Sequence, residues 1–258
     1  DMGQSLLPVS KTRIIQAEFS DLSDCNIILM TASLPERNVK DRNEYLQGNL
    51  GVVKPICEEL KKFNKEAIII CCTNPIDVFN YVIWKQLGWD KNKILGFSLN
   101  DSLRLKWAIS NATGKDYDKL EGYCIGEHGD GQIRLFEQMT YDGKPIELTE
   151  DDKNKATQLT ADWFREYQSL QSGRTTGWTS AVNLSKVIEA IATDSKEIIP
   201  CSVILTGEYG YEELSMGMPV ALGNDGIKEI KLPELTAIQK EQLDNTASKI
   251  KNLITSIL

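Results

Sequence analysis

The 258 residues contain one histidine, His128, and no Cys-x-x-Cys pair. One imidazole cannot build a His-rich zinc site, and the six cysteines (Cys25, Cys57, Cys71, Cys72, Cys124, Cys201) offer no ligand spacing to help it. Most of them fall within apolar runs, which fits reduced thiols in a cytoplasmic protein better than a disulfide framework. No uncharged apolar run approaches the roughly 20 residues needed to cross a bilayer, and the first residues lack the basic-then-apolar pattern of a signal peptide. No membrane role is expected. Positive charge is in deficit: 29 Lys and Arg face 37 Asp and Glu, a net charge of -8. That balance opposes the phosphate attraction on which nucleic-acid binding depends, so nucleic acid is not an expected partner.

What remains is ordinary globular composition, 41% hydrophobic and 26% charged, in a chain long enough for one large or two modest domains. The first part alternates. Apolar, β-branched runs at 12–17, 26–31, 67–72 and 93–98 are separated by helical spacing over 42–63 and 77–87. Continuous apolar strands alternating with helices predict an α/β fold with a parallel sheet covered on both faces. Pro55 inside 42–63 predicts a kink or break. From about residue 100 the pattern becomes α+β: a helix over 100–111, a strand near 119–125, helices over 150–171 and 176–193, strands at 201–206 and 216–231, and a helix over 236–257. This predicts two domains, 1–99 and 100–258.

Chemistry concentrates in a few places. Gly126-Glu127-His128-Gly129-Asp130 sets the lone imidazole between glycines just after an apolar strand. Glycines allow close approach of a ligand, and an imidazole is the natural proton carrier at neutral pH. A plain surface turn reads equally well from the motif alone. Asp101 and Arg104 share one helix face, where Arg could fork onto a carboxylate and Asp could orient a histidine; a surface ion pair is the simpler reading of the spacing. Thr73-Asn74-Pro75 follows an apolar strand, at the sheet edge where open α/β folds bind ligands. Residues 35–42, Pro35 through Arg42, form a charged segment that suits a solvated loop or a lid.

Taken together these clusters resemble the lactate/malate dehydrogenase family, NAD-dependent enzymes acting on 2-hydroxy acids. The similarity runs through Thr31-Ala32-Ser33, Arg42, Asn49, Thr73-Asn74-Pro75, Asp101-Ser102-Leu103-Arg104, the His128 cluster and the segment from Pro200 to Gly210. The resemblance implies that His128 is the proton donor and acceptor and Asp101 its orienting partner. It implies that Arg104 binds the carboxylate of a small 2-oxo or 2-hydroxy acid, that Arg42 on a mobile loop polarises the carbonyl, and that Asn74 bonds near substrate and nicotinamide. Thr31, Ala32, Ser33, Asn49 and Thr73 fall at cofactor-binding positions, Thr176 at a substrate-pocket position, and Asn74-Pro75 at a bond that is typically cis. A homodimer or homotetramer is expected on the same grounds.

Two departures stand out. The position that is Arg in malate enzymes and Gln in lactate enzymes is Glu36 here, with Arg37 one step away. Glu36 is expected to repel a second substrate carboxylate, whereas an inward Arg37 would attract one. Also, no Gly-x-Gly-x-x-Gly precedes the first strand. In a sheet ordered 3-2-1-4-5-6 the run at 12–17 would be strand 3 and the next three runs strands 4, 5 and 6, so strands 1 and 2 are missing. The fold expected is thus a partial doubly wound, Rossmann-like sheet followed by an α+β substrate domain, with the native polypeptide extending before Asp1. A non-catalytic binding or scaffolding relative is the alternative. Ser33 and Glu36 favour it, and the retained His128, Asp101, Arg104 and Arg42 oppose it.

Overall fold

The computed structural model describes Gln4 and residues 10–34, 42–63, 67–171 and 177–258, except the side chains of residues 42–45, Phe164 and Gln168. Three short apolar strands, β1 (Ile27–Met30), β2 (Ile68–Cys71) and β3 (Ile94–Phe97), lie parallel in that order. Every residue of β2 and β3 is buried, as continuous apolar runs covered on both faces must be. The crossovers are α1 (Arg42–Phe63) and α2 (Ile76–Leu87). Helix α2 is buried along most of its length, including Val78, Phe79, Val82 and Ile83, and stops at Gly88, whose φ of 65° suits a left-handed C-terminal cap.

The second half builds onto the same sheet. It contributes α3 (Leu99–Thr113), β4 (Leu120–Glu121), β5 (Cys124–Gly126), β6 (Gln132–Arg134), β7 (Thr140–Tyr141), β8 (Lys144–Pro145), α4 (Glu150–Ser169) and α5 (Gly177–Ala192). The long hairpin β9 (Ile198–Thr206) and β10 (Glu212–Gly223) follows, then β11 (Gly226–Ile230) and α6 (Ala237–Thr255). Strand β9 pairs antiparallel with β3, giving one sheet of order β1-β2-β3-β9-β10-β5-β6 with β11 also on β10. Strands β4, β7 and β8 form a separate small sheet. The face of α6 formed by Leu243, Ala247, Ile250 and Ile254 is buried, as its spacing predicts.

Three local expectations need correction. Residues 10–18 form no strand and are mostly exposed, with Ile15 at 67%. In the expected order that strand pairs with a neighbour other than β1, and the described residues provide none; an unpaired strand gains too little to offset its ordering entropy. The stretch 119–125 divides into β4 and β5, which belong to different sheets. Helix α1 is not broken at Pro55. Asn74-Pro75 is cis, as expected.

Gly96 in β3 sits where three elements meet. A Cβ there would lie 2.6 Å from Ile76 Cγ2 and 2.7 Å from Ser202 Cβ. Neither neighbour can retreat, because one opens α2 and the other lies in the paired strand β9. Gly96→Ala is expected to cost about 1 to 3 kcal/mol, read as a lower urea midpoint at unchanged slope.

Candidate active site

The sheet brings three chain segments to one place. The first follows β2, where Asn74-Pro75 leads into α2. The Asn49 side chain, wholly buried in α1, donates to the Asn74 carbonyl at 2.9 Å and accepts from the Leu34 N–H at 2.7 Å. Thr73 Oγ1 donates to the Ala32 carbonyl at 2.9 Å. These bonds lock the loop carrying Thr31, Ala32 and Ser33 to the loop carrying Asn74. Thr31, Ser33 and Asn74 are left exposed, while Asn49 and Thr73 use their side chains on neighbouring main chain.

The second segment is the first turn of α3. Asp101 suits that position because a carboxylate complements the unpaired N–H groups of a helix start. The Cys124 N–H donates to Ser102 Oγ at 2.8 Å, which ties α3 to β5. The third segment is the loop after β5. Gly126, at φ 91°, pairs with Gly217 of β10, and a Cβ on it would lie 2.8 Å from the Gly131 carbonyl oxygen. Only glycine fits there. Glu127, itself buried, accepts from the Gly131 N–H at 3.0 Å and from Lys249 Nζ of α6 at 2.7 Å, closing the loop around His128.

The reacting groups follow from this frame. His128 Nδ1 donates to Asp101 Oδ2 at 2.6 Å, and Arg104 Nη1 donates to Asp101 Oδ1 at 3.3 Å. One carboxylate therefore serves two cations. Burial alone would lower the His128 pKa, but the charge and hydrogen bond of Asp101, helped by Asp77, outweigh it and the pKa is raised. The Arg104 guanidinium lies over the Trp163 ring at 4.1 Å, which fixes its plane. A cleft of 580 Å³ is lined by Asn74, Asp101, Arg104 and His128, and by Arg134, Thr160 and Trp163.

Of the residues singled out in the sequence, His128, Asp101, Arg104 and Asn74 line this cleft together. Arg42 opens α1, and its side chain lies outside the described residues, as do Glu36, Arg37 and Thr176. Four residues escaped the sequence reading: Trp163, Arg134, Asp77 and Lys249, the partner of Glu127. Asp77 alone left a signal, a carboxylate in the first turn of an otherwise apolar helix. Among the described residues no cluster of metal-ligating side chains is present, and no helix is long and apolar enough to cross a membrane.

The residues present fit the nicotinamide end of NAD: an exposed Asn74 beside the His128 cleft, and the Thr31–Ser33 loop at the carboxyl ends of parallel strands. The glycine-rich turn that would cradle the pyrophosphate has no counterpart in the sequence.

Comparison with known proteins shows the family. Residues 1–96 match the family model described as lactate/malate dehydrogenase, NAD binding domain, and residues 99–258 match lactate/malate dehydrogenase, alpha/beta C-terminal domain. A malate dehydrogenase of Aliarcobacter butzleri is 32% identical over 259 residues, covering 98% of this chain and 82% of that protein. One of Natronomonas pharaonis is 29% identical over 254 residues, covering 98% and 83%. The structure of the Cryptosporidium parvum lactate dehydrogenase complexed with lactic acid and NAD superposes with a TM-score of 0.91 at 26% identity, covering 99% of this chain and 84% of that one. The malate dehydrogenase of Aeropyrum pernix superposes with a TM-score of 0.87 at 27% identity, covering 93% and 79%. The chain belongs to the lactate/malate dehydrogenase family of NAD-dependent oxidoreductases.

Proposed function

We propose that this protein interconverts a small 2-hydroxy acid and its 2-oxo acid with His128, Asp101 and Arg104 as the working residues. The observation that carries the reading is one Asp101 carboxylate holding both His128 and Arg104 at the wall of a single cleft. NAD supplies the hydride acceptor for oxidation and, reduced, the donor for reduction. The chain's own residues do the rest. Arg104, its plane set by Trp163, takes the substrate carboxylate; Asp101 holds Nδ1 of His128, leaving Nε2 for the substrate oxygen. In reduction His128 gives a proton to that oxygen, and in oxidation it removes one.

Arg42 is assigned to the developing negative charge on the same oxygen, Asn74 to the substrate and nicotinamide edge, and Thr176 to the substrate pocket. Thr31, Ala32 and Ser33 offer the NAD-facing surface, which Asn49 and Thr73 hold in shape. In this reading residues 1–99 serve the dinucleotide and residues 100–258 the substrate. A cytoplasmic homodimer or homotetramer is supported by six cysteines that form no disulfide with one another and by exposed apolar side chains on α5, with Trp178 at 88% and Val182 at 61%.

His128→Asn is expected to lower turnover of any 2-oxo acid by about 10²- to 10⁴-fold while NADH binding, followed by fluorescence, stays nearly intact. Reduction consumes a proton from His128, so on the alkaline side it should fall as pH rises through the raised His128 pKa. Asp101→Asn should move that fall to lower pH. The stability sign is the same: a raised histidine pKa stabilises the fold fully below the unfolded value near 6.5, and that contribution disappears as pH rises through the folded value. An unchanged pH profile in Asp101→Asn defeats the pairing.

Glu36 is assigned the choice of substrate class. A second carboxylate beside it in a closed cleft is a like-charge contact, so pyruvate should be preferred to oxaloacetate. Glu36→Arg is then expected to raise kcat/KM for oxaloacetate by at least about tenfold. Loss of oxaloacetate turnover in Arg37→Ala, with little effect of Glu36→Arg, would transfer that role to Arg37.

A further inference from the structure

One buried carboxylate has no part in this mechanism. Asp77, in the first turn of α2, is 1% exposed. Its Oδ2 accepts the main-chain N–H of His128 at 2.7 Å, and its Oδ1 accepts the Ser202 hydroxyl of β9 at 2.5 Å. Ser202 Oγ in turn lies 2.8 Å from Ser215 Oγ of β10, and Asn80 Nδ2 bonds the Ser202 carbonyl and Ser215 Oγ at 3.1 and 2.9 Å. A chain of buried hydrogen bonds thus runs from the central hairpin to the backbone of the catalytic histidine. Asp101 fixes the ring of that residue, and Asp77 fixes its main chain.

The proposed dehydrogenase reaction is the premise. We propose that Asp77 is a positioning residue: its carboxylate holds the His128 loop in register most firmly while ionised, and so sets an acid limit on a reduction that protonation of His128 alone would favour. An ionised carboxylate accepts both donors strongly. A protonated one keeps both contacts only if the Ser202 hydroxyl reverses to accept its proton, and the His128 N–H is then left on a neutral oxygen, a weaker acceptor.

The groups facing Asp77 set where this happens. Burial raises its pKa, the bonds from Ser202 and the His128 N–H and the His128 charge lower it, and Glu127 raises it, leaving it up at about 6. Glu127 is itself held by Lys249, and Asp101 reaches Asp77 only through the His128 ring. From β2 the neighbouring titratable group is the Cys71 thiol, kept neutral by burial. Ser202 and Ser215 bring no charge from β9 and β10. Asp77 therefore changes state below neutrality, on the acid side of the raised His128 pKa.

The test uses the fact that His128 is the only histidine. Selective ¹⁵N-histidine labelling gives one backbone amide and one pair of ring nitrogens. In the wild type the amide should show a titration step near pH 6 that is separate from the ring step. Asp77→Asn should abolish the amide step and keep the ring step. Ser202→Ala, by removing a bond that favours the charged carboxylate, should move the amide step to higher pH. The pH profile of 2-oxo-acid reduction at saturating NADH should follow: an acid-side fall in the wild type, none in Asp77→Asn, and an earlier one in Ser202→Ala. At neutral pH Asp77→Asn should lower kcat by about threefold to tenfold with KM little changed, since a neutral amide accepts more weakly than a carboxylate.

Linkage gives an independent check that Asp77 is the group that titrates. A carboxylate whose folded pKa is raised costs the fold stability as pH rises from its unfolded value to its folded one, so the Tm difference should move in favour of Asp77→Asn between about pH 4 and pH 6 and level off above. An amide that follows only the ring, or superimposable pH profiles for wild type and Asp77→Asn, overturns the proposal. If the wild type reduces no 2-oxo acid, the proposed reaction fails, and the amide titration still decides whether Asp77 holds the loop.

Discussion

The pairing of β9 with β3 is the contact on which the arrangement depends. It sets Gly96 opposite Ser202 and makes one sheet from strands that the sequence places in two halves. Through that sheet the β2 end carrying Asn74, the α3 start carrying Asp101 and the β5 end leading to His128 acquire fixed mutual positions. The chain distance from Asn74 to Ser202 is large, and no local preference could hold them together. Strand pairing and burial do so. The same contact explains why a bare hydrogen is needed at Gly96, where the Ile76 and Ser202 side chains come closer than a Cβ allows.

Electrostatics at the site follow from scarcity of compensation. The chain is acidic overall, yet the cleft carries Arg104, Arg134 and a histidine that favours its charged form. Asp101 lies between two of these and spends one oxygen on each. Burial opposes the charged state of Arg104, and Asp101 opposes that effect; a guanidinium stays protonated in either case. An incoming substrate carboxylate therefore relieves a local excess of positive charge, and the gain in pairing offsets the cost of desolvating the anion.

Most of the architecture was legible in the sequence because its signals are local. The runs of β2 and β3 are bounded sharply, and α6 shows its buried face in the spacing of Leu243, Ala247, Ile250 and Ile254. The pairing of second-half strands with the first-half sheet was not legible, since nothing in the β9 run names β3 as its neighbour. The run at 12–17 has the composition of a strand but no partner among the described residues, and a strand is defined by its partner as much as by its side chains. At the site, His128, Asp101, Arg104 and Asn74 were legible because each sits in a compact motif. Trp163 was not, because its role is to lie under Arg104 from a helix about sixty residues further along, and an aromatic in an amphipathic helix carries no mark of what it stacks on.

Buried charge gives the last step of the argument. Asp77 and Glu127 flank the same short loop, each almost fully buried, and each holds main-chain N–H groups rather than substrate. A hydrophobic core has no need of either, and burying a carboxylate costs stability unless every oxygen is well served. Their partners show how the cost is contained. Glu127 faces the Lys249 ammonium, whereas Asp77 has two hydrogen-bond donors and only the partial charge of a helix start and of the His128 ring to balance it. The two anchors are therefore unequal. One is met by an ammonium and the other by hydrogen-bond donors alone, so the loop is clamped by an ion pair on its α6 side and by the charge state of Asp77 on its α2 side. A loop that must present one proton donor and acceptor to a cleft, while glycines at 126 and 129 leave its backbone free to turn, needs such external anchors because its own sequence cannot provide rigidity.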